Sequence, residues 1–70
     1  MHTKFGKNLQ YLRKKRGLTQ SELGFILNVG QQTIAKWENN KRHPDIFMVF
    51  TIAKHFKVEP THLVMHLMIE

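Results

Sequence analysis

Two short helical patterns stand only three residues apart in this chain, and that spacing constrains the fold more than any other feature. The first opens with TQSE at residues 19–22, a pattern in which Thr19 accepts a hydrogen bond from a backbone N–H and Glu22 reaches back to the helix start. It stops at NVG, residues 28–30, where Asn and Gly tolerate the left-handed backbone of a sharp turn. The second pattern covers residues 31–38. The chain is therefore predicted to contain two helices joined by a tight turn.

Three further helices are predicted on either side of this pair. The first ends at Gly17, because glycine is typical of helix C-termini. The fourth follows Pro44, which disfavours helix in the residue before it, and has Asp45 as its N-cap. The fifth begins at Pro60, which suits a first helical turn. The apolar residues expected to face the core in these three helices are Phe5, Leu9 and Leu12, then Ile46, Val49, Phe50, Ala53 and Phe56, and then Leu63, Val64, Leu67 and Met68.

The pattern as a whole favours an all-α protein. No segment shows the sustained alternation of apolar and polar residues that is typical of strands. We therefore predict a compact five-helix bundle that forms a single domain over residues 1–70. A chain this short buries only ~60% of the surface that its unfolded state exposes, so its core must be packed efficiently. With no cysteine, it has neither disulfides nor thiolate metal ligands to support that core.

The hydropathy pattern argues against a membrane protein. The longest nearly apolar run, IFMVFTIA at residues 46–53, is far shorter than the ~18 residues that a membrane span needs. The opening sequence MHTKFGK lacks the apolar segment of a signal peptide. We expect an intracellular, cytoplasmic protein without a membrane partner.

Charge is distributed unevenly along the chain. Eleven Lys and Arg against five Asp and Glu give a net charge of +6. Residues 1–42 hold nine basic and two acidic side chains, whereas residues 43–70 hold two and three. Clustered cations indicate a polyanionic partner, and nucleic acid fits best because its phosphates release counterions when Lys and Arg bind. The alternative is a charge that serves only solubility.

The helix predicted over residues 31–38 has an unusual outer face. At 3.6 residues per turn, Ile34 and Trp37 share one arc, with Glu38 at its border. The remaining surface is short, polar and nearly uncharged, and it carries Gln31, Gln32, Thr33, Ala35 and Lys36. Such a face suits hydrogen bonding to base edges, because a glutamine amide can pair with adenine N6 and N7 and a threonine methyl can touch the thymine methyl. The alternative is an incidental polar face.

The segment TQSELGFILNVGQQTIAKWENNKR, residues 19–42, resembles the helix-turn-helix of the Cro/CI/Xre family of phage and bacterial repressors. The similarity extends over residues 5–64 and includes FGKNLQYLRKKRGLTQ, the WEN that ends the third helix, and HPDIFMVFTIAKHFKVEP. The two adjacent glutamines are similar to those of some lambdoid phage repressors. The resemblance implies a lambda repressor-like domain that binds double-stranded DNA with its third helix in the major groove.

The resemblance also implies which residues contact DNA. Bases would be read by Gln31 and Gln32, with Thr33 and Lys36 beside them on bases or phosphate. The phosphate backbone would be held at the start of the second helix and after the third, by Gln20, Asn39, Lys41 and Arg42.

The same resemblance implies an ion pair between Arg13 and Glu38 that ties the first helix to the third. A paired glutamate beside the core is acceptable where an unpaired one would be costly. Arg16 lies on the same side of the first helix and is an alternative partner. The chain departs from the family in having Asn for Gly, Gly for the Ser N-cap and Gly for Ala, at Asn28, Gly30 and Gly24. The glycine in the second helix costs roughly 1 kcal/mol of helix propensity but permits closer helix packing.

Several apolar residues exceed what the core pattern requires. Phe25, Phe47 and Met48 occupy positions that are commonly polar in the family, and Met65 and Ile69 lie off the main stripe of the fifth helix. They either thicken a small core or form a protein interface, since exposed apolar clusters usually have partners. Met65 and Ile69 are the candidate interface of a homodimer, because these repressors bind two-fold symmetric sites as dimers.

No pattern in the chain indicates catalysis. His62 and His66 are spaced to share a metal ion, but no third ligand lies near them in sequence. Their segment HLVMH also lacks the glutamate of the HExxH pattern. The acidic residues are scattered, and the single serine, Ser21, lies in the capping box. We predict that the protein is not an enzyme and uses no metal, cofactor or small-molecule ligand.

Two hypotheses follow. The leading one is a sequence-specific, DNA-binding transcriptional regulator, a Cro-like or Xre-like repressor that occupies a pseudo-palindromic operator as a dimer. Since the chain lacks the large second domain of full-length phage repressors, we expect a minimal Cro-like form or a stand-alone plasmid or toxin–antitoxin regulator. The alternative uses the same fold as a protein-interaction module, such as an antitoxin or anti-repressor partner that binds through Phe25, Phe47 and Met48.

Overall fold

Five α-helices joined by short loops make up residues 3–68, the part of the chain that the computed structural model describes. In chain order they are α1 (Phe5–Lys15), α2 (Gln20–Leu27), α3 (Gln31–Glu38), α4 (Ile46–Phe56) and α5 (Pro60–Met65). Residues 3–68 contain no strand, and none of their helices has the length and apolar character required to cross a bilayer. The predicted all-α, five-helix fold is confirmed.

Local hydrogen bonds fix where the helices begin. At α2, the Thr19 hydroxyl accepts from the Glu22 N–H at 3.0 Å and the Glu22 carboxylate accepts from the Thr19 N–H at 2.8 Å, which completes the predicted capping box. At α4, the Asp45 carboxylate accepts from the Met48 N–H at 2.8 Å, so the predicted N-cap is also confirmed. With eight residues each, α2 and α3 are too short to be stable alone and depend on packing.

In the turn between α2 and α3, Asn28 has a left-handed backbone and Gly30 does not. Asn28 adopts φ 60° and ψ 41°, whereas Gly30 has an extended backbone with φ −77°. Gly30 is the N-cap of α3, the position that the resemblance assigns to it, and an extended backbone is typical of N-caps. A Cβ on Gly24 would lie 2.7 Å from the Val29 carbonyl oxygen. Glycine therefore permits the close approach of the turn to α2.

The core receives side chains from all five helices. It contains Phe5, Leu9 and Leu12 of α1, Leu23 and Leu27 of α2, Ile34 and Trp37 of α3, Val49, Ile52, Ala53 and Phe56 of α4, and Leu63 of α5. Ile46 and Phe50 were predicted to face inward, but they are 59% and 53% exposed. Ile52 is fully buried instead. Because α4 is apolar on more than one side, its periodicity does not determine which stripe packs inward.

The end of α5 also differs from the prediction. The helix ends at Met65, so Leu67 lies beyond it and is half exposed, although Val64 and Met68 pack partly against the core as expected. The physical reason is that another helix supplies hydrogen bonds that compete with continued helix at this point.

A buried asparagine of α1 provides those hydrogen bonds. Asn8 is fully buried, and its Nδ2 donates to the carbonyl oxygens of Leu63 and His66 at 2.7 and 2.6 Å. Its Oδ1 accepts from the Met68 N–H at 2.8 Å. The final carbonyls of a helix lack intrahelical partners, so this side chain caps α5 from a distance. This role of Asn8 was not predicted, although a polar residue on the buried face of α1 is a signal for it.

Candidate nucleic-acid interface

Two apolar anchors determine which face of α3 points outward. Ile34 is fully buried and Trp37 nearly so, and the Trp37 ring packs edge-on against Phe5 of α1 with ring centroids 6.4 Å apart. The opposite face is therefore on the surface. It exposes Gln31, Gln32 and Lys36, with Thr33 and Ala35 half-buried at its sides.

A buried ion pair holds the C-terminal end of α3 to α1. Arg13 Nε lies 2.6 Å from Glu38 Oε2, and Arg13 Nη2 donates to Glu38 Oε1 at 3.1 Å. The remaining guanidinium nitrogen, Nη1, donates to the Leu18 carbonyl at 2.8 Å, just before α2 begins. Arg16, the alternative partner, instead lies over the Phe56 ring at 5.2 Å. One side chain of α1 thus connects to α3 and to the loop that enters α2.

The first turns of α2 and α3 lie side by side. Gln20 Nε2 donates to Glu38 Oε1 at 3.1 Å, and Gln31 Nε2 donates to Gln20 Oε1 at 3.4 Å. Gln20 is half-buried between these two partners. The free N–H groups at the beginning of each helix carry partial positive charge, which suits a phosphate nearby. The bond between Gln20 and Glu38 was not predicted, because no sequence pattern links two residues that are 18 positions apart.

Basic side chains are clustered where the chain leaves α3. The N–H groups of Lys41 and Arg42 both donate to the Lys36 carbonyl, at 2.9 and 3.4 Å. The loop therefore curls back over the C-terminal end of the helix, with Asn39 as C-cap and Asn40 in the left-handed conformation at φ 57°. Lys36, Lys41 and Arg42 are all exposed. They form a positive cluster beside the glutamine face.

Because the ion pair is buried, the exposed charges of residues 3–42 are almost all positive. Arg13 and Glu38 neutralise each other inside the protein. The exposed charges of residues 3–42 are then eight basic side chains against one acidic side chain, Glu22. This half of the chain is suited to a polyanion.

The apolar residues that exceed the predicted core pattern lie partly against the core and partly on the surface. Phe25 and Phe47 are 87% and 79% exposed, so they do not thicken the core, whereas Met48 is half-buried against it. Met65 is exposed and lines an open apolar groove of about 240 Å³ together with Ile46, Val49, Phe50, Pro60, Thr61 and Val64. Ile69 lies outside the described residues.

His62 of α5 and His66, the residue that follows the helix, lie next to each other at the surface. The ring centroids of His62 and His66 are 4.6 Å apart. Among residues 3–68, no three His, Cys, Asp or Glu side chains are grouped so that they could hold a metal ion.

Residues 9–63 match the model of a protein family described as helix-turn-helix. The chain is 39% identical over 54 residues to BcrR, an HTH-type transcriptional activator of Enterococcus faecalis, and the match covers 77% of this chain and 26% of BcrR. It is 41% identical over 51 residues to an uncharacterised HTH-type transcriptional regulator of Methanocaldococcus jannaschii, covering 73% of this chain and 77% of that protein. The chain thus spans about a quarter of the length of the first relative and most of the second.

The fold is also similar to that of solved structures. The P22 c2 repressor bound to a synthetic operator aligns with a TM-score of 0.79 and 24% identity, covering 90% of this chain and 94% of that one. The DNA-binding domain of the same repressor in solution aligns with a TM-score of 0.75 and 25% identity, covering 84% and 78%. The likeness to the operator complex shows a common fold.

The buried ion pair predicts a large difference between two arginines of α1. Arg13→Ala leaves the Glu38 carboxylate buried without its partner, and we expect a loss of about 3–5 kcal/mol in the free energy of unfolding. Arg16→Ala removes an equal charge but only an exposed contact with an aromatic ring, which is worth less than about 1 kcal/mol. Urea unfolding followed by circular dichroism measures both. Equal losses for the two variants would contradict the assignment.

Proposed function

The chain belongs to the helix-turn-helix family of the Cro/CI/Xre type, and from that premise we propose that it is a DNA-binding transcriptional regulator that reads a double-stranded operator with α3. The observation that carries the proposal is the outer face of α3, which is polar, almost uncharged and flanked by exposed cations. This combination separates base reading from phosphate binding on one surface.

The residues of the N-terminal half of α3 would contact the bases. Gln31 and Gln32 are exposed, and a glutamine amide offers both the donor and the acceptor that match adenine N7 and N6. Being uncharged, these side chains have no net charge that would hold them on a phosphate. Thr33 presents a methyl group beside them for contact with thymine, and Lys36 lies one turn further along, where it can reach a base or the backbone.

The residues on either side of the outer face of α3 would bind phosphates. Lys41 and Arg42 lie in the loop that curls over the end of α3, and Asn39 is the C-cap that precedes them. Gln20 lies at the start of α2, beside Gln31. Contacts of this kind fix the position of a protein on the duplex without choosing a sequence.

The comparisons support this function. BcrR and the Methanocaldococcus protein are both named as transcriptional regulators, and the P22 c2 repressor is bound to an operator in the structure that shares this fold. Repressors with this motif place the second helix of the pair in the major groove.

We further propose that the protein binds a pseudo-palindromic operator as a homodimer. The groove between α4 and α5 is lined without any charged side chain and exposes Ile46, Phe50 and Met65 by more than half. Most of the exposed positive charge belongs to residues 3–42, and none of it is in the lining of the groove. Two copies that met through this groove would bury apolar surface without bringing like charges together, and exposed apolar clusters commonly mark such interfaces.

The experiment that tests the function is selection of bound duplexes from a random library, followed by measurement of Gln32→Ala on the selected operator. The selected half-sites should contain an A·T pair, and the variant should lose ~1–3 kcal/mol on the operator, the usual value of one bidentate pair. Binding to random duplex should change little, so the ratio of the two affinities falls.

Equal losses on operator and random DNA would mean that the glutamines only position the protein. If the wild type binds neither duplex at low salt, the function is wrong. The exposed Phe25 and Phe47 then favour the alternative, a protein-interaction module.

Lys41 and Arg42 should govern affinity without governing sequence choice. Replacing both with Ala should weaken operator and random DNA by similar factors, because phosphates are the same in every sequence. The slope of log K against log[salt] should become shallower by about one for each lost phosphate contact. The matched control is Lys54→Ala/Lys57→Asn, which removes two exposed lysines of the α4 region and keeps a residue that tolerates φ 57° at position 57. Equal salt slopes in the two double variants would show that Lys41 and Arg42 do not contact DNA phosphates.

The groove between α4 and α5 should be the surface through which two copies of the protein associate. Phe50→Glu/Met65→Glu places two charges on exposed positions, so the helices should persist while the dimer dissociates. Sedimentation with a two-half-site operator, half-site centres ~10–10.5 bp apart, should show two wild-type chains bound cooperatively and the variant bound independently. Phe25→Glu on α2 is the control for an exposed aromatic elsewhere and should leave cooperativity intact. A wild type that remains monomeric on the operator would exclude the dimer.

A further inference from the structure

We propose that Asn8 of α1 fixes the spacing at which the protein accepts two operator half-sites. It is a positioning residue, because it holds the α5 wall of the groove between α4 and α5 at one place relative to α3 and would itself contact neither DNA nor a second copy. The inference rests on the proposed function, since it requires both base reading by α3 and pairing of two copies through that groove.

The end of α5 is held by hydrogen bonds from α1. In a continued helix, the carbonyls of Leu63 and Val64 would accept from the N–H groups of residues 67 and 68. Asn8 Nδ2 instead donates to the Leu63 carbonyl at 2.7 Å, and the Lys4 N–H donates to the Val64 carbonyl at 2.8 Å. The Met68 N–H donates to Asn8 Oδ1, also at 2.8 Å. The last turn of α5 is therefore attached to α1.

Both ends of the Asn8 amide are used inside the protein. Asn8 is fully buried, and its Nδ2 also donates to the carbonyls of His66 and His62, at 2.6 and 3.3 Å. Among residues 3–68, no buried side-chain nitrogen or oxygen lacks a hydrogen-bond partner. A buried donor or acceptor that loses its partner costs free energy, so the end of α5 cannot shift along α1 without that cost.

The same helix is joined to the end of α3. A Cβ on Gly6 would lie 2.7 Å from the carbonyl oxygens of Trp37 and Glu38, and Arg13 Nε lies 2.6 Å from Glu38 Oε2. Asn8 lies between Gly6 and Arg13 in α1, a helix of 11 residues and about 16 Å. The attachment of α5 therefore lies between two attachments of α3, and α1 connects the two helices rigidly.

A rigid connection between α3 and the groove would make a dimer selective for half-site spacing. Half-sites whose centres lie ~10–10.5 bp apart face the same side of the duplex. One added base pair moves the second half-site by about 3.4 Å and rotates it by about 35° around the DNA axis. Two copies whose α3 helices are held at one distance cannot follow both changes, whereas copies with a loosely held α5 can.

The competing role for Asn8 is to stabilise the fold and nothing more. In that case its replacement would lower the stability of the protein and weaken binding at every half-site spacing by the same factor. The positioning role changes the preference among spacings and leaves the affinity for one half-site as it was, because the Arg13–Glu38 ion pair still holds α3. The two roles therefore differ in a ratio that can be measured.

The experiment uses Asn8→Leu, which keeps a side chain of similar size and removes both the donor and the acceptor. Binding is measured on the selected half-sites at their selected spacing, on operators with one or two base pairs added or removed between them, and on a single half-site. The preference of the variant for the selected spacing should fall about 5-fold or more relative to wild type, the lower end of usual coupling between two sites. Its affinity for the single half-site should be unchanged.

Hydrogen exchange shows whether the substitution cuts only the intended attachment. The Met68 N–H should exchange faster in Asn8→Leu, because its acceptor is gone, while the amides of Ile34 and Trp37 in α3 should remain as protected as in wild type. Ile52→Val is the control for a loss of core packing that leaves the bonds between α1 and α5 in place, and it should retain the full spacing preference. If Asn8→Leu does not fold, Asn8→Ser replaces it in both measurements.

A folded Asn8 variant that keeps the wild-type spacing preference, or that loses affinity equally at all spacings and on the single half-site, would overturn the inference. In either case the proposed dimer stands as long as the wild type binds two half-sites cooperatively. If the wild type binds every spacing alike, with one chain independent of the other, the homodimer of the proposed function fails and the inference fails with it.

Discussion

A buried ion pair between Arg13 and Glu38 connects the parts of the molecule that recognition requires. The Arg13 guanidinium bonds both carboxylate oxygens of Glu38 on α3 and the Leu18 carbonyl that precedes α2. Removing two charges from water is costly, and that cost is offset only when hydrogen bonds use most of the donors and acceptors, as they do here. The pair therefore specifies one relative placement of α1, α2 and α3, since any shift would leave a buried charge unsatisfied.

Close backbone contacts make that placement possible. A Cβ on Gly6 would lie 2.7 Å from the carbonyl oxygens of Trp37 and Glu38, so the start of α1 packs directly on the end of α3. Gly24 similarly allows the turn after α2 to lie against the helix. Since α2 and α3 have only eight residues each, these contacts and the core supply the stability that such short helices lack alone.

Features with a local cause could be predicted from the sequence, whereas those that depend on distant partners could not. The capping box at Thr19, the Asp45 N-cap and the outward face of α3 each follow from residues within a few positions of one another. The inward face of α4 was misjudged because its apolar residues surround more than one side. The early end of α5 depends on Asn8, and the side-chain bonds of Gln20 join it to Gln31 and Glu38, 11 and 18 residues away. Hydrogen bonds between such distant positions leave no periodic signal.

The capping of α5 by α1 has a topological consequence. Besides the bonds of Asn8 to residues 63, 66 and 68, the Lys4 N–H donates to the Val64 carbonyl at 2.8 Å. The beginning and the end of the described chain are therefore neighbours in space. Because Lys4 and Asn8 lie beside Val64 and Met68, a short linker between the two ends of the described region would cost little loop-closure entropy in the folded state. Such a circularised chain would restrict the unfolded state more than the folded one.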